Sequence, residues 1–345
     1  MNQRFLIDYD NPDAGIGHSM GIINRALKIA SRNQLEFAYS EDQLRKSTHD
    51  SRQWSLKHIL RTLRGKKPDE SHNIGDDLNR MLNPKNLLLN RQEIEARIQA
   101  GQLKVISLPK FEIHIPSNEQ MDDEIYTSID RFIAAHPEPN TAFKISDNRF
   151  GDYEYQSTRN WYIDAYAKAR EQYPIHLGYD RSQFNIAIHI RRGDLLPGRQ
   201  FSDLSSRMLP DAWYLAILTA VASSTNRPIA VHIFSEGKGG QYHSEKGLPC
   251  SWKDLLKGSH YEVTEHIDSN FLESFHHLLH ADILIGSKSG MSHLAGMLGD
   301  QIKVMPEMWH SYRGASKLLL VGNTISASDA SAISTHIKAH LLDQT

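Results

Sequence analysis

The chain has 345 residues, with 39 Lys and Arg against 41 Asp and Glu, so its formal net charge is −2. That length is the size of about two domains, and the balanced charge argues against a protein built mainly to coat nucleic acid. A hydrophobic share of 39% is enough for ordinary cores and argues against wholesale disorder, while the single cysteine, Cys250, excludes an internal disulfide and a Cys-rich zinc site.

In chain order, strands and helices alternate from end to end. Residues 4–8 form a short apolar run, followed by the turn Ala14-Gly15-Ile16-Gly17. Met20, Ile23, Leu27 and Ala30 then recur at helical spacing. Residues 35–39 read as the next strand. Trp54, Leu56, Ile59, Leu60 and Leu63 mark a helix, and the charged, breaker-rich stretch 64–77 reads as a mobile loop. A helix over 91–100 is stopped by Gly101 and followed by a strand at 103–108. A helix at 122–135, a strand at 142–145 and a helix at 157–172 complete the first half.

Residues 173–181 contain Pro and Gly without periodicity and mark a junction between a domain over 1–182 and a domain over 183–345. Beyond it come a strand at 184–190 and a helix opened by Pro210 at its first position and running to 222. Strands at 228–234 and 261–264, a helix at 270–280, a strand at 282–286, a helix at 290–298, a strand at 301–305 and a closing helix at 329–342 follow. Strands alternating with helices of this length predict an α/β fold with parallel sheets wound on both faces. The longest apolar stretch, 212–222, is far shorter than the ~18–20 residues of a membrane span. The start lacks a signal-peptide pattern and the sequence has no Asn-x-Ser/Thr sequon, so the expectation is a cytoplasmic protein without a transmembrane segment.

Two segments carry chemistry. In Asn185-Ile-Ala-Ile-His189-Ile-Arg191-Arg192-Gly193-Asp194, a buried strand ends on an imidazole, two guanidiniums and a carboxylate. Ligands of open α/β sheets lie outside the carboxyl ends of strands, and the planar fork of Arg suits a diphosphate. The bland reading is a strand end with a solvated Arg192–Asp194 pair. In Gly286-Ser287-Lys288-Ser289-Gly290-Met291-Ser292-His293, a small-residue turn leads into a helix and exposes N–H groups suited to phosphate oxygens. It lacks P-loop spacing, so an ATPase is not supported; a Ser-capped helix is the plain alternative. Asp8-Tyr9-Asp10 has the form of an Asp-x-Asp metal box but sits at the first strand end. His276, His277 and His280 read as partly exposed helix histidines, Arg61, Arg64, Lys66 and Lys67 as a solvated basic loop, and Cys250 as an incidental thiol.

Taken together, the two segments resemble the GDP-fucose-dependent fucosyltransferases, comprising the α1,2-, α1,6- and protein O-fucosyltransferase groups. His189-Ile-Arg191-Arg192-Gly193-Asp194 is similar to their His-x-Arg-Arg-(Gly/Thr)-Asp motif. Val231 to Gly237 resembles their second motif, with Glu236 where Asp is usual. Ser287 to Ser292 resembles their Ser-Ser-Phe-Ser-like turn, with Gly290-Met291 in place of Ser-Phe, and Gly15-Ile16-Gly17-His18 is similar to their Gly-x-Gly-(Asn/His) loop. The resemblance covers residues 184–298 and the first 30; residues 40–180 carry no such signal.

The resemblance implies the GT-B fold, two Rossmann-like domains facing each other across a cleft, with the acceptor side in 1–182 and the nucleotide-sugar side in 183–345. It implies an inverting transferase moving fucose from GDP-fucose to a carbohydrate or other hydroxyl acceptor, with no obligatory metal and no cofactor beyond the donor substrate. Carried over, Arg191 contacts the β-phosphate, Arg192 assists or holds the loop, and His189 and Glu236 lie near the guanine. Ser287, Ser289 and the amides through Gly290, Met291 and Ser292 hold phosphate oxygens, with Asp194 orienting Arg191. Gly15 and Gly17 let the backbone approach the donor, and the acceptor base is His18, Asp8, Asp10 or none, His18 otherwise bonding the donor or capping the helix. The departures at Glu236, Gly290 and Met291 leave a different nucleotide sugar open, as they leave open a non-catalytic nucleotide- or glycan-binding protein of the same fold.

Overall fold

Short apolar runs become strands here because each is flanked by a helix whose apolar face covers it. The computed structural model describes residues 3–8, 16–39, 74–84, 88–110, 123–146, 151–198 and 202–342. The helix marked by Trp54 to Leu63, the basic run from Arg61 to Lys67, and Tyr9, Asp10 and Gly15 lie outside them. By packing, the chain divides into two compact units, one of 1–174 with Trp309–Arg313, the other of 175–308 with 314–345.

The first unit contains β1 (Arg4–Ile7), α1 (Ile16–Arg32), β2 (Glu36–Tyr39), α2 (Ile74–Leu82) and β3 (Leu89–Asn90). It continues with α3 (Arg91–Gln99), β4 (Lys104–Ser107), α4 (Asp123–Ala134), β5 (Thr141–Lys144) and α5 (Arg159–Gln172). The strands lie in the order β3-β2-β1-β5-β4, all parallel. Phe5 and Ile7 of the central β1 pack with Ala38, Ile94, Leu103 and Ala142.

Two expectations change in this unit. The first helix begins at Ile16, not near Met20, so Gly17 and His18 belong to its first turn instead of a preceding loop. Likewise α2 starts at Ile74, inside the stretch expected to be loop; Leu78, Met81 and Leu82 are buried on it and supply the apolar face that the charged residues before it obscured.

The second unit begins with β6 (Phe184–Ile190), α6 (Asp211–Ala222), β7 (Ile229–Ser235), the short α7 (Trp252–Leu255) and β8 (Glu262–Ile267). It ends with α8 (Phe271–His280), β9 (Ile283–Ile285), α9 (Gly290–Leu298), β10 (Ile302–Pro306), β11 (Leu318–Val321) and α10 (Ala327–Leu342). Its sheet is parallel in the order β11-β10-β9-β6-β7-β8. All seven residues of β6 are buried, as a central parallel strand covered on both faces requires. Phe184, Ile186, Ile188 and Ile190 pack with Trp213, Tyr214, Ile217 and Val221 of α6 and with Ile333 and Ile337 of α10. The alternate residues, His189 among them, face the other side.

Pro210 is the N-cap of α6, with ψ 153°, and not its first helical residue. The edge strand β11 was not expected; only Val321 of its four residues is buried, so its leucines carry no clear alternation. His276 is buried under α8, a correction to its reading as partly exposed, whereas His280 on the same helix is exposed.

Candidate functional site

The chain runs from β6 through β7 to β8 on one side of the sheet, then returns to place β9, β10 and β11 on the other side of β6. The reversal lies between β6 and β9. At such a switch point the loops leaving the two strands diverge to opposite faces and open a crevice at the carboxyl edge. Both chemistry-bearing segments leave the sheet there, Arg191 to Asp194 after β6 and Gly286 to Ser289 after β9.

Hydrogen bonds tie the two loops together. The Arg191 guanidinium pairs with Asp194, Nη2 to Oδ2 at 3.0 Å and Nε to Oδ1 at 3.5 Å, and its Nη1 donates to the Lys288 carbonyl at 3.3 Å. The Arg191 side chain keeps 24% of its surface exposed. An arginine has five N–H donors, so this one is oriented by its partners and retains donors to offer elsewhere.

Beneath it, Arg192 has no exposed side-chain surface. Its Nη2 donates to Asp211 Oδ1 at 2.6 Å and its Nη1 to the Arg191 carbonyl at 3.1 Å, while Tyr242 donates to the same Asp211 oxygen. Burial opposes the Arg192 charge, but Tyr242, Tyr214 and Asp211 outweigh it and raise its proton affinity. Of the two roles expected for Arg192, this is the geometry of holding the loop.

His189 is buried, with Nδ1 2.6 Å from Ser292 Oγ and 3.3 Å from Ser287 Oγ. Desolvation, reinforced by the Arg191 charge, lowers its pKa to about 3, so the ring is neutral at physiological pH. The Ser287 backbone N–H donates to Ser292 Oγ at 3.0 Å. Ser289 caps α9, its side chain accepting from the Met291 N–H at 3.2 Å. The serine hydroxyls expected to face phosphate therefore have partners inside the protein. Gly286 permits the close packing at this turn, since a Cβ there would lie 2.4 Å from the Met305 sulfur.

On the β7 side, Ser235 Oγ donates to the Ile190 carbonyl at 2.7 Å and the Gly193 N–H to the Glu236 carbonyl at 3.4 Å. Gly193 has φ +24°, and a Cβ at that position would lie 1.7 Å from Glu236 Oε2. The exposed Glu236 side chain thus lies across a glycine that no other residue could replace without displacing it.

The expected donor-side residues accordingly fall into two layers. Arg191, Asp194, Glu236, Gly290 and Met291 keep exposed surface, whereas His189, Arg192, Ser287, Ser289 and Ser292 lie beneath them. In the first unit, Asp8 is buried and its Oδ1 is paired with Arg25 Nη2 at 2.8 Å. Gly17 lies in the first turn of α1; the side chain of His18 and all of Gly15 and Asp10 lie outside the described residues. Among the described residues, no group of three or more His, Cys, Asp or Glu is placed to hold a metal ion, and no helix is long and apolar enough to cross a membrane.

The motif reading missed two features. Asp211 and Tyr242 hold Arg192, and only the acidic residue directly after Pro210 hinted at the first. Lys288, inside the second motif, is half-buried; desolvation lowers its proton affinity and Glu307 opposes that shift.

No family model matches the chain, and no curated protein matches it in sequence. Among solved structures it is similar to POFUT1 in complex with GDP-fucose, with 10% identity and a TM-score of 0.46 over 92% of this chain and 97% of that one. It is also similar to a mutant of Arabidopsis thaliana FUT1 in complex with GDP (11%, TM-score 0.39, 89% of this chain and 72% of that one). Escherichia coli ADP-heptose lps heptosyltransferase II is similar at 10% identity and TM-score 0.38, over 99% of each chain.

Proposed function

We propose that the chain is a glycosyltransferase of the GT-B class that binds a nucleoside diphosphate sugar at the β6–β9 switch point and passes the sugar to a hydroxyl acceptor. GDP-fucose is the donor in this reading, and 183–345 is the donor-side domain. The observation that carries it is Arg191, partly exposed at the carboxyl edge and held by Asp194 and the Lys288 carbonyl. As a glycosidic bond breaks, negative charge grows on the departing diphosphate. A fixed guanidinium and the N-terminus of α9 stabilise that charge most in the transition state, in the place a cation would take. The acceptor hydroxyl requires a proton acceptor on the opposite face, for which His18 is the candidate.

Titration calorimetry with GDP, UDP and ADP tests the nucleotide, and release of GDP from GDP-fucose, with and without EDTA across an acceptor panel, tests the reaction. Tight GDP binding with EDTA-resistant turnover is expected. Binding of none of the three nucleotides would end the reading, and GDP binding without turnover on any acceptor would favour a binding protein.

A further inference from the structure

His189 lies near the carboxyl end of β6 at the switch point, and which of its nitrogens holds the proton decides what it can recognise. We propose that Ser292 is a positioning residue that donates its hydroxyl proton to His189 Nδ1. The neutral ring is thereby fixed with its proton on Nε2, and the site presents a donor to a hydrogen-bond acceptor of the bound nucleotide sugar. This rests on the function proposed above and adds to it the polarity of the contact.

The assignment follows from counting protons. Ser292 is fully buried, and one of its three polar neighbours, the Ser287 backbone N–H at 3.0 Å, can only donate. Ser292 Oγ therefore accepts from it and has one proton left to give. The other two neighbours are His189 Nδ1 at 2.6 Å and Ser287 Oγ at 3.3 Å. His189 Nδ1 is the nearer of the two, so the one Ser292 proton is directed to it. The reverse assignment would have Nδ1 donate over the short distance and spend the Ser292 proton on the long one.

A neutral imidazole has one donor and one acceptor nitrogen. With Nδ1 accepting, Nε2 carries the hydrogen. Burial and the neighbouring guanidinium hold the ring in its neutral form. A ring so fixed cannot take a proton from an acceptor hydroxyl, so His189 is a recognition group and not the base. It favours a ligand atom with a lone pair, a phosphate oxygen or a ring carbonyl, over an amine at the same point.

The test is nitrogen NMR of the full chain labelled in its histidines, with the His189 signals identified by their loss in His189→Gln. The expected result in the wild type is an unprotonated Nδ1 and a protonated Nε2. Ser292→Ala should shift the ring toward the other tautomer and weaken GDP binding by about three- to tenfold, the worth of one neutral hydrogen bond. Ser292→Thr, which keeps the hydroxyl, should restore both. A wild-type ring protonated on Nδ1 overturns the proposal, as does an Ser292→Ala chain with unchanged tautomer and affinity. If Ser292→Ala does not fold, the wild-type and Ser292→Thr spectra still decide the tautomer. Failure of the wild type to bind GDP, UDP or ADP defeats the functional reading separately, because the tautomer is read without ligand.

Discussion

Arg191 Nη1 donates to the backbone carbonyl of Lys288 at 3.3 Å, joining two loops whose residues stand 97 positions apart in the chain. Neither loop has this geometry on its own. The β6 loop supplies the charge and the β9 loop fixes its direction, and Asp194 grips the opposite edge of the fork.

Loss of that charge should be felt first in nucleotide binding. Arg191→Ala is expected to weaken GDP affinity by about 30-fold to several-thousand-fold, from about 2–5 kcal/mol for a charge-assisted pair. Arg191→Lys should not restore it, because a point ammonium cannot grip Asp194 and the Lys288 carbonyl together. Asp194→Asn should cost less, about three- to tenfold, since the guanidinium remains. Calorimetry decides; an Arg191→Ala chain within about threefold of the wild type places the nucleotide elsewhere.

Arg192 should behave differently although it is adjacent. Its removal leaves the Asp211 carboxylate and the Tyr242 hydroxyl without their cation, so Arg192→Met should lower stability by about 3–5 kcal/mol in urea unfolding. GDP affinity of the folded variant should change far less than for Arg191→Ala. Near-normal stability with lost GDP binding would make Arg192 a ligand contact.

Gly193 is expected to tolerate no side chain. Gly193→Ala would drive a methyl group into Glu236 and should cost about 1–3 kcal/mol. The double variant Gly193→Ala/Glu236→Gly should recover part of that loss, since it removes the Glu236 Cβ that would lie 2.7 Å away. Thermal unfolding of the four chains in the cycle measures the coupling; strict additivity would show that the two residues do not interact.

Acidification should destabilise the second unit before most carboxylates titrate. Burial lowers the pKa of His189 to about 3 and of His232 and His266 to about 4. The unfolded chain therefore binds protons below the ordinary histidine value of about 6.5 that the folded chain refuses. Stability is complete above that value and falls as pH drops toward 4, by up to about 1.4 kcal/mol per pH unit for a fully buried group such as His189. The urea midpoint should fall between pH 7 and pH 5, and a flat midpoint would contradict the burial of these rings.

Much of the second unit was legible because its inner strands β6, β7, β9 and β10 are buried on both faces and stand out as largely apolar runs; residues 184–190 match β6 end to end. The carboxyl edge was legible for the same reason, as polar residues following such a run have nowhere else to go. What the sequence did not disclose was depth. Arg191 and Arg192 are adjacent and chemically identical, and only the packing of Asp211 and Tyr242 turns the second inward. Nor do the motif serines reveal that Ser287 and Ser292 face His189. In the first unit the short strands and the charged stretch before α2 gave a weaker pattern, and the start of α1 was misplaced because its first turn holds two residues that also suit a loop.

The five residues Trp309–Arg313 belong to the first unit while the chain on either side of them belongs to the second. His310 stacks on Tyr153 with ring centroids 4.1 Å apart, so a fragment ending at Pro174 would lose the covering of that ring. Neither half is a continuous length of polypeptide, and no single cut in the gene separates them cleanly. Ribosomal synthesis must therefore proceed through β10, the fifth of the six strands of the second sheet, before the first unit receives its last piece.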